Sequence, residues 1–384
     1  MGEGDHTLPH RSLEPGDDRD GTEEARPALF AAVPRPGRRT GLRCPTTGLK
    51  ITAIFSLTVI ASTGERFSDF APYVASVNDA GTVAFQAALQ GGGTGVFSGS
   101  GGVVAEVAGP ALLAGVTSHP DLNNAGATSF YGDIPGGGQG VFLLRDGQLQ
   151  TIADTRGPFA SIGPLGPTMN EAATVALRAD RAAGVSGVFV GDGVTVATLA
   201  DTAGPWARFH GLPVINRGGT VVFRADREDG VQGVYAGREG SISTVAETGD
   251  LFETLALFPS VNDRGTVAFA ATQRAGGAGI FAVDEGRITQ ISDTDGPFEA
   301  YRGALINDAG AVVFIATPRG GSLGLFMGPD PEADRILAFG DALLGSTVEE
   351  LASNPVSVNA AGHVAIRVRL SDDRQLILRA DPIG

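Results

Sequence analysis

The sequence predicts an all-β protein, and more narrowly a seven-bladed β-propeller of four-stranded blades. Three observations lead there. The 57 glycines in 384 residues have no G-X-Y period and stand beside 42% apolar residues, a composition of tight turns between short strands. An asparagine recurs at Asn78, Asn123, Asn170, Asn216, Asn262, Asn307 and Asn359, spaced by 45, 47, 46, 46, 45 and 52 residues. Each interval holds four short strand-like segments. A period near 45 with four strands marks a propeller blade, whose sheet buries its faces only against neighbouring blades.

The elements follow in chain order. Residues 1–49 carry proline, glycine and mixed charge without an apolar period and are expected to form a disordered extension; the propeller is assigned to 50–384. Basic residues precede the apolar run that opens at Ile51, as in a secretion signal, but the run lies far from Met1 and lacks a small-x-small site. Its continuation "FSLTVIASTGERF" (55–67) aligns with "GRITQISDTDGPF" (286–298) and "GQLQTIADTRGPF" (147–159), so 51–63 reads as an outer strand. At the other end "NPVSVN", "HVAIRVRL" and "RQLILRAD" form a blade lacking its fourth strand. Three strands from the C-terminus and one from the N-terminus complete it and remove open edges.

Within a unit, "APYVASVN", "TVAFQAAL", "GVFSGS" and "VVAEVA" are the four strands of the first copy, with the N-D-A-G turn between the first two. Three residues after each Asn stands glycine, replaced by Ala173 in the third copy; glycine takes positive φ without a clash, and the Asn side chain can bond backbone groups two residues on. Seven residues after it come Phe85, Phe130, Leu177, Phe223, Phe269, Phe314 and Ile366, and nineteen after it Phe97, Phe142, Phe189, Tyr235, Phe281, Phe326 and Leu378. These suit cross-strand packing. The asparagines read as scaffold, since a ring needs seven copies and a binding site does not. Asp154, Asp201, Asp293 and Glu247 read as turn caps. Calcium is suggested only at "DTDG" (293–296), and the other copies put Arg156 or Ala203 where Asp295 stands, so no metal is expected.

The segments "NDAGTVAF", "NDRGTVAF", "NRGGTVVF" and "NDAGAVVF" resemble the repeat of a family of bacterial tandem-repeat proteins named for an N-x-x-G-x-x-x-A-F motif. The resemblance covers roughly residues 50 to 384 and implies a propeller-like scaffold, with no established activity.

Composition narrows the partners. A net charge of −15 makes nucleic acid and anionic membranes poor partners, because both need basic patches. The single cysteine, Cys44, excludes an intrachain disulfide and a cysteine-based zinc cluster. No G-x-S-x-G, H-E-x-x-H, P-loop or Rossmann fingerprint is present, and no cofactor is expected. With no clear signal peptide or transmembrane segment, the expectation is a cytoplasmic monomer.

Function is sought where the copies differ. Positions six to four residues before each Asn are expected to ring the channel mouth, and their non-repeating polar members are Tyr73, His119, His210, Tyr301, Arg302 and Asn354. Eight residues after the Asn come Arg178, Arg224 and Arg367, with Asp180 and Asp226 following two of them; Trp206 and Arg208 lie on the segment leading to His210. His119, His210, Tyr301 and Arg302 are the catalytic candidates, as acid, base or charge stabiliser. Tyr73, Arg178, Trp206, Arg208, Arg224, Asn354 and Arg367 are the ligand-binding candidates. One reading is a propeller that binds a small molecule or a protein at its channel face. The alternative is a propeller lyase, hydrolase or cyclising enzyme, and a third is an exported structural or surface protein. Against all of these, a lone His can simply pack, and Arg–Asp pairs can be solvated ion pairs of little energetic weight.

Overall fold

The computed structural model describes residues 55–383, which form strands and turns and no helix. The expected tail 1–49, Cys44 and the first residues of the closing strand lie outside them. Seven antiparallel sheets follow one another along the chain. Blades 1 to 6 span 67–108, 115–154, 159–201, 206–247, 252–293 and 298–338; blade 7 takes 346–382, with Phe55–Ser62 as its outer strand. Phe55 pairs with Pro382 and Ser62 with Leu376, so the ring closes by the 3+1 arrangement that the aligned segments predict. The first strand of blade 7 is Ser346–Ala352, earlier than "NPVSVN", of which Val358 keeps one bridge to Val364.

The hydrophobic anchors pair in every blade. Phe85 stands opposite Phe97, Phe130 opposite Phe142, Leu177 opposite Phe189, Phe223 opposite Tyr235, Phe269 opposite Phe281, Phe314 opposite Phe326 and Ile366 opposite Leu378. In five blades a third ring, from Phe67, Phe159, Trp206, Phe252 or Phe298 at the start of the first strand, meets the later anchor edge-on at 4.5 to 4.9 Å between centroids. That geometry sets a ring's positive edge against a negative face and contributes about 0.5–1.5 kcal/mol beyond burial.

The asparagines act twice. At all seven turns Oδ1 accepts a hydrogen bond from the N–H four residues on, and at Asn170 and Asn262 also from the one two residues on. Nδ2 reaches into the next blade: Asn78 donates to Asn123 O (3.2 Å), Asn123 to Asn170 O (3.4 Å), Asn216 to Asn262 O (3.0 Å), Asn262 to Asn307 O (3.1 Å) and Asn307 to Ala360 O (3.5 Å). Asn359 donates to Asn78 O at 2.8 Å, across the closure. Each of these asparagines thus caps its own turn and holds its neighbour's.

The first strands depart from the continuous segments that the alternation predicts. In blade 1 the strand pairs at Phe67–Asp69 and again at Ser76–Val77, with the intervening residues off the ladder. Blades 4 and 6 keep one strand each, Trp206–Ile215 and Phe298–Ile306, but their register shifts between His210 and Val214 and between Tyr301 and Gly303. In six blades this stretch carries a proline (Pro72, Pro120, Pro164, Pro213, Pro259, Pro355), which has no N–H to give to a ladder.

Candidate functional site

The channel has two chemically different layers. At the turn end, residues from all seven blades line a cavity of about 150 Å³. The residue after each Asn forms a second circle there: Asp79 N donates to Asn124 Oδ1, Asn124 N to Glu171, Arg217 N to Asp263, Asp263 N to Asp308 and Ala360 N to Asp79. Burial and the adjacent Asp263 carboxylate raise the Asp308 carboxyl above its ordinary range. Among the described residues, no three His, Cys, Asp or Glu side chains group as a metal site would need.

The second layer lies midway along each first strand, where it leaves the ladder, and the residue eight after the Asn faces that break. Thr117 N donates to Tyr131 O, Gly163 N to Arg178 O and Ala256 N to Ala270 O, while His210 pairs with Arg224, Gly303 with Ile315 and Ala352 with Arg367. Round the ring this position reads Gln86, Tyr131, Arg178, Arg224, Ala270, Ile315 and Arg367.

In blades 3 and 4 the layer is bonded. Arg178 Nη1 donates to Gly211 O of the next blade at 3.0 Å. The buried Arg224 donates from Nη1 to Ala225 O and Asp226 Oδ1, both at 2.7 Å, and from Nη2 to Gln232 Oε1 at 2.8 Å. Asp226 Oδ2 lies 2.7 Å from His210 Nε2. Burial would raise the Asp226 carboxyl, but the bonds from Arg224 and His210 outweigh it and hold it below the usual range. Burial lowers the His210 imidazole despite Asp226, and the charges of Arg224 and Arg178 add to the effect. A neutral ring donating from Nε2 to Asp226 keeps Nδ1 as its basic atom, the arrangement a general base needs.

In blades 7, 1 and 2, which are consecutive round the ring, the same layer is buried and leaves individual polar atoms without a partner. Gln86 Oε1, His119 Nε2, Ser353 Oγ, Asn354 Nδ2 and Arg367 Nε and Nη1 have no hydrogen-bond partner from the protein. His119 is 3% exposed, and burial lowers its imidazole to about 4. Burial likewise pushes the Tyr131 phenol up. Arg367 is 7% exposed; its nearest carboxylate oxygen, Glu350 Oε2, stands 3.8 Å from Nη1, too far for a hydrogen bond. Blades 5 and 6 place Ala270 and Ile315 at this position.

The ring of polar residues expected at the channel mouth is thus a layer halfway down. It brings His210, Arg178, Arg224 and Asp226 together in one arc and places His119, Asn354 and Arg367 in another. Tyr301 packs between blades 5 and 6, its hydroxyl bonded to Ser292 Oγ (2.5 Å) and to Asp293 O (2.9 Å). Trp206 is buried in the aromatic cluster of blade 4 and Arg208 is exposed, while Tyr73 and Arg302 are half-buried. Gln86, Tyr131 and Ser353 escape the sequence reading, although counting eight residues from every Asn would have found the first two. The aspartates before Gly-Pro-Phe cap turns: Asp154 accepts from Arg156 N and Gly157 N, and Asp293 from Asp295 N and Gly296 N.

The chain is similar in fold to several solved structures. An oligogalacturonate lyase in complex with manganese superposes with a TM-score of 0.55 at 9% identity, over 87% of this chain and 99% of the other. The β-propeller domain of the Trilobed protease from Pyrococcus furiosus, which has an open velcro topology, gives 0.53 at 12% identity, over 81% and 94%. A puromycin-hydrolysing peptidase of Mycobacterium tuberculosis gives 0.52 at 13% identity over 85% of this chain, which spans 56% of that protein. No family model matches the sequence, and no curated protein matches it either. Likeness at such identities speaks for architecture alone: the chain is a β-propeller of seven blades, closed by its N-terminal strand.

Proposed function

We propose that this propeller is a binding protein, and that blades 7, 1 and 2 hold a small polar molecule with an anionic group at the layer where the first strands break. One observation carries the reading: the unbonded polar atoms of that layer lie in one arc, while the same positions elsewhere are bonded or apolar. An unmade buried hydrogen bond costs about 1–3 kcal/mol, so folded proteins keep few of them. Arg367, Asn354 and Ser353 offer donors and Gln86 Oε1 an acceptor, which suits a hydroxylated carboxylate. The test is a thermal-shift screen of hydroxy acids and uronic acids on the intact chain, followed by calorimetric titration of the Arg367→Ala variant. Binding to the native protein that weakens at least tenfold in the variant supports the reading; no shift, or equal affinity, rejects it.

The enzyme reading rests on the His210–Asp226 contact. If a lyase or hydrolase activity is found, His210→Ala should abolish it; an unchanged rate removes His210 from that role.

A further inference from the structure

The seven joints between blades are built alike at the turn end, with one departure. Nδ2 of the repeat asparagine clasps the following blade everywhere except between blades 3 and 4, where Asn170 Nδ2 has no hydrogen-bond partner among the described residues although Asn170 is only 7% exposed. The second circle is interrupted at the same place, because Arg217 stands where the other carboxylate and amide acceptors stand and can only donate. It is interrupted elsewhere only at Ala360, between blades 6 and 7, where the asparagine clasp holds.

At this joint a cleft of about 430 Å³ opens, within the range of about 300–1,000 Å³ typical of small-molecule sites. Val190, Ala197, Leu199 and Ile215 give it apolar walls, and Arg217 and Arg238 stand at its rim. Asn170, Ile215 and Arg217 line both the cleft and the channel cavity, so the unpartnered amide sits where the two meet. Leu199 packs closely on Gly237, where a Cβ would come within 3.0 Å of Leu199 Cδ1. Both arginines are solvated. Arg217 Nε is 3.2 Å from Asp263 and Arg238 Nε 3.4 Å from Glu239, each side chain being 57% exposed. Pairs this exposed hold their arginines loosely and leave guanidinium N–H groups for another anion.

We infer that the cleft between blades 3 and 4 is a binding site for a small amphipathic carboxylate. The apolar part lies against Val190, Ala197 and Leu199, and the carboxylate is received by Arg217 and Arg238, with Asn170 Nδ2 as a further donor. The site is separate from the layer of blades 7, 1 and 2 and does not depend on it.

The experiment titrates the isotope-labelled intact protein with octanoate and with octan-1-ol, followed by NMR and calorimetry. Octanoate is expected to bind and to shift the Asn170 side-chain amide and the Leu199 and Gly219 backbone amides, and octan-1-ol to bind at least tenfold more weakly. The exposed pair Arg217→Ala and Arg238→Ala should cost tenfold or more in octanoate affinity with an unchanged melting temperature. Ala197→Trp, which fills the cleft and leaves both arginines, should block binding. Absence of binding, equal affinity for the alcohol, or shifts confined to His119 and the Arg367 region would overturn the assignment. The last outcome would place octanoate in the other site.

Discussion

The two layers of the channel are made from the same seven repeats yet obey opposite rules. At the turn end the asparagine recurs in all seven copies, and its amide bonds its own turn and, at six of the seven joints, the next blade, as Asn78 does with Thr82 N and Asn123 O. At the break layer the residues vary from copy to copy, with arginine shared only by Arg178, Arg224 and Arg367, and one arc leaves His119, Asn354 and Arg367 with unbonded atoms. Where the repeat is kept, symmetry supplies a turn-end donor with its acceptor. A residue that differs from its six counterparts loses that guarantee, and its polar atoms must find a partner locally, take one from a ligand, or go unbonded.

The largest expected effect tests this contrast directly. Asn123→Ala removes the bonds to Ala127 N and Asn170 O and leaves buried groups unpaired, so it should cost about 2–4 kcal/mol in urea unfolding. Asn354→Ala removes an unbonded Nδ2 as well as the Oδ1 contacts with Val356 N and Ser357 Oγ, and should cost about 1 kcal/mol or less. Equal losses would erase the distinction between the layers.

Asp121 sharpens it, as a carboxylate at a turn-end position where other blades use Thr168, Ser260 or Ser357 to bond the next blade. It accepts from Met169 N at 2.6 Å, and burial raises its carboxyl to about 7. With the folded value above the unfolded one, the folded state holds the proton longer, so stability is full below about pH 4 and falls as pH rises toward about 7. Asp121→Thr should therefore raise the melting temperature at pH 8, change it little at pH 4, and remove that slope. A parallel pH profile in variant and native protein would show that the carboxylate is accommodated without cost. A small effect of opposite sign belongs to Ala173, which takes the glycine position of its turn at φ 61°. Ala173→Gly should stabilise by about 1 kcal/mol, read as a higher urea midpoint, because a side chain in that region is strained.

The regular layer was largely legible and the irregular one was not. Spacing alone located Asn78 and its counterparts, paired Phe85 with Phe97, and matched the 55–67 segment to the outer strands. It did not show that Asn Nδ2 reaches the next blade, since the acceptor lies 45 residues away in the case of Asn78 and Asn123. Trp206 drew notice as the single tryptophan, but it fills the slot of Phe159 and Phe298, which alignment on the preceding Gly-Pro could have shown. Tyr301 and His210 occupy equivalent positions, yet one is tied to Ser292 and the other to Asp226. That difference lies in neighbours contributed by other strands.

By itself the sequence determined the number of blades, the strand order and the closure, because these follow from periods and turn chemistry repeated along the chain. Only the tertiary structure decided which polar groups are bonded and where a joint stands open. Both depend on atoms from different strands and blades meeting within about 3 Å, and a hydrogen bond is that sensitive to distance.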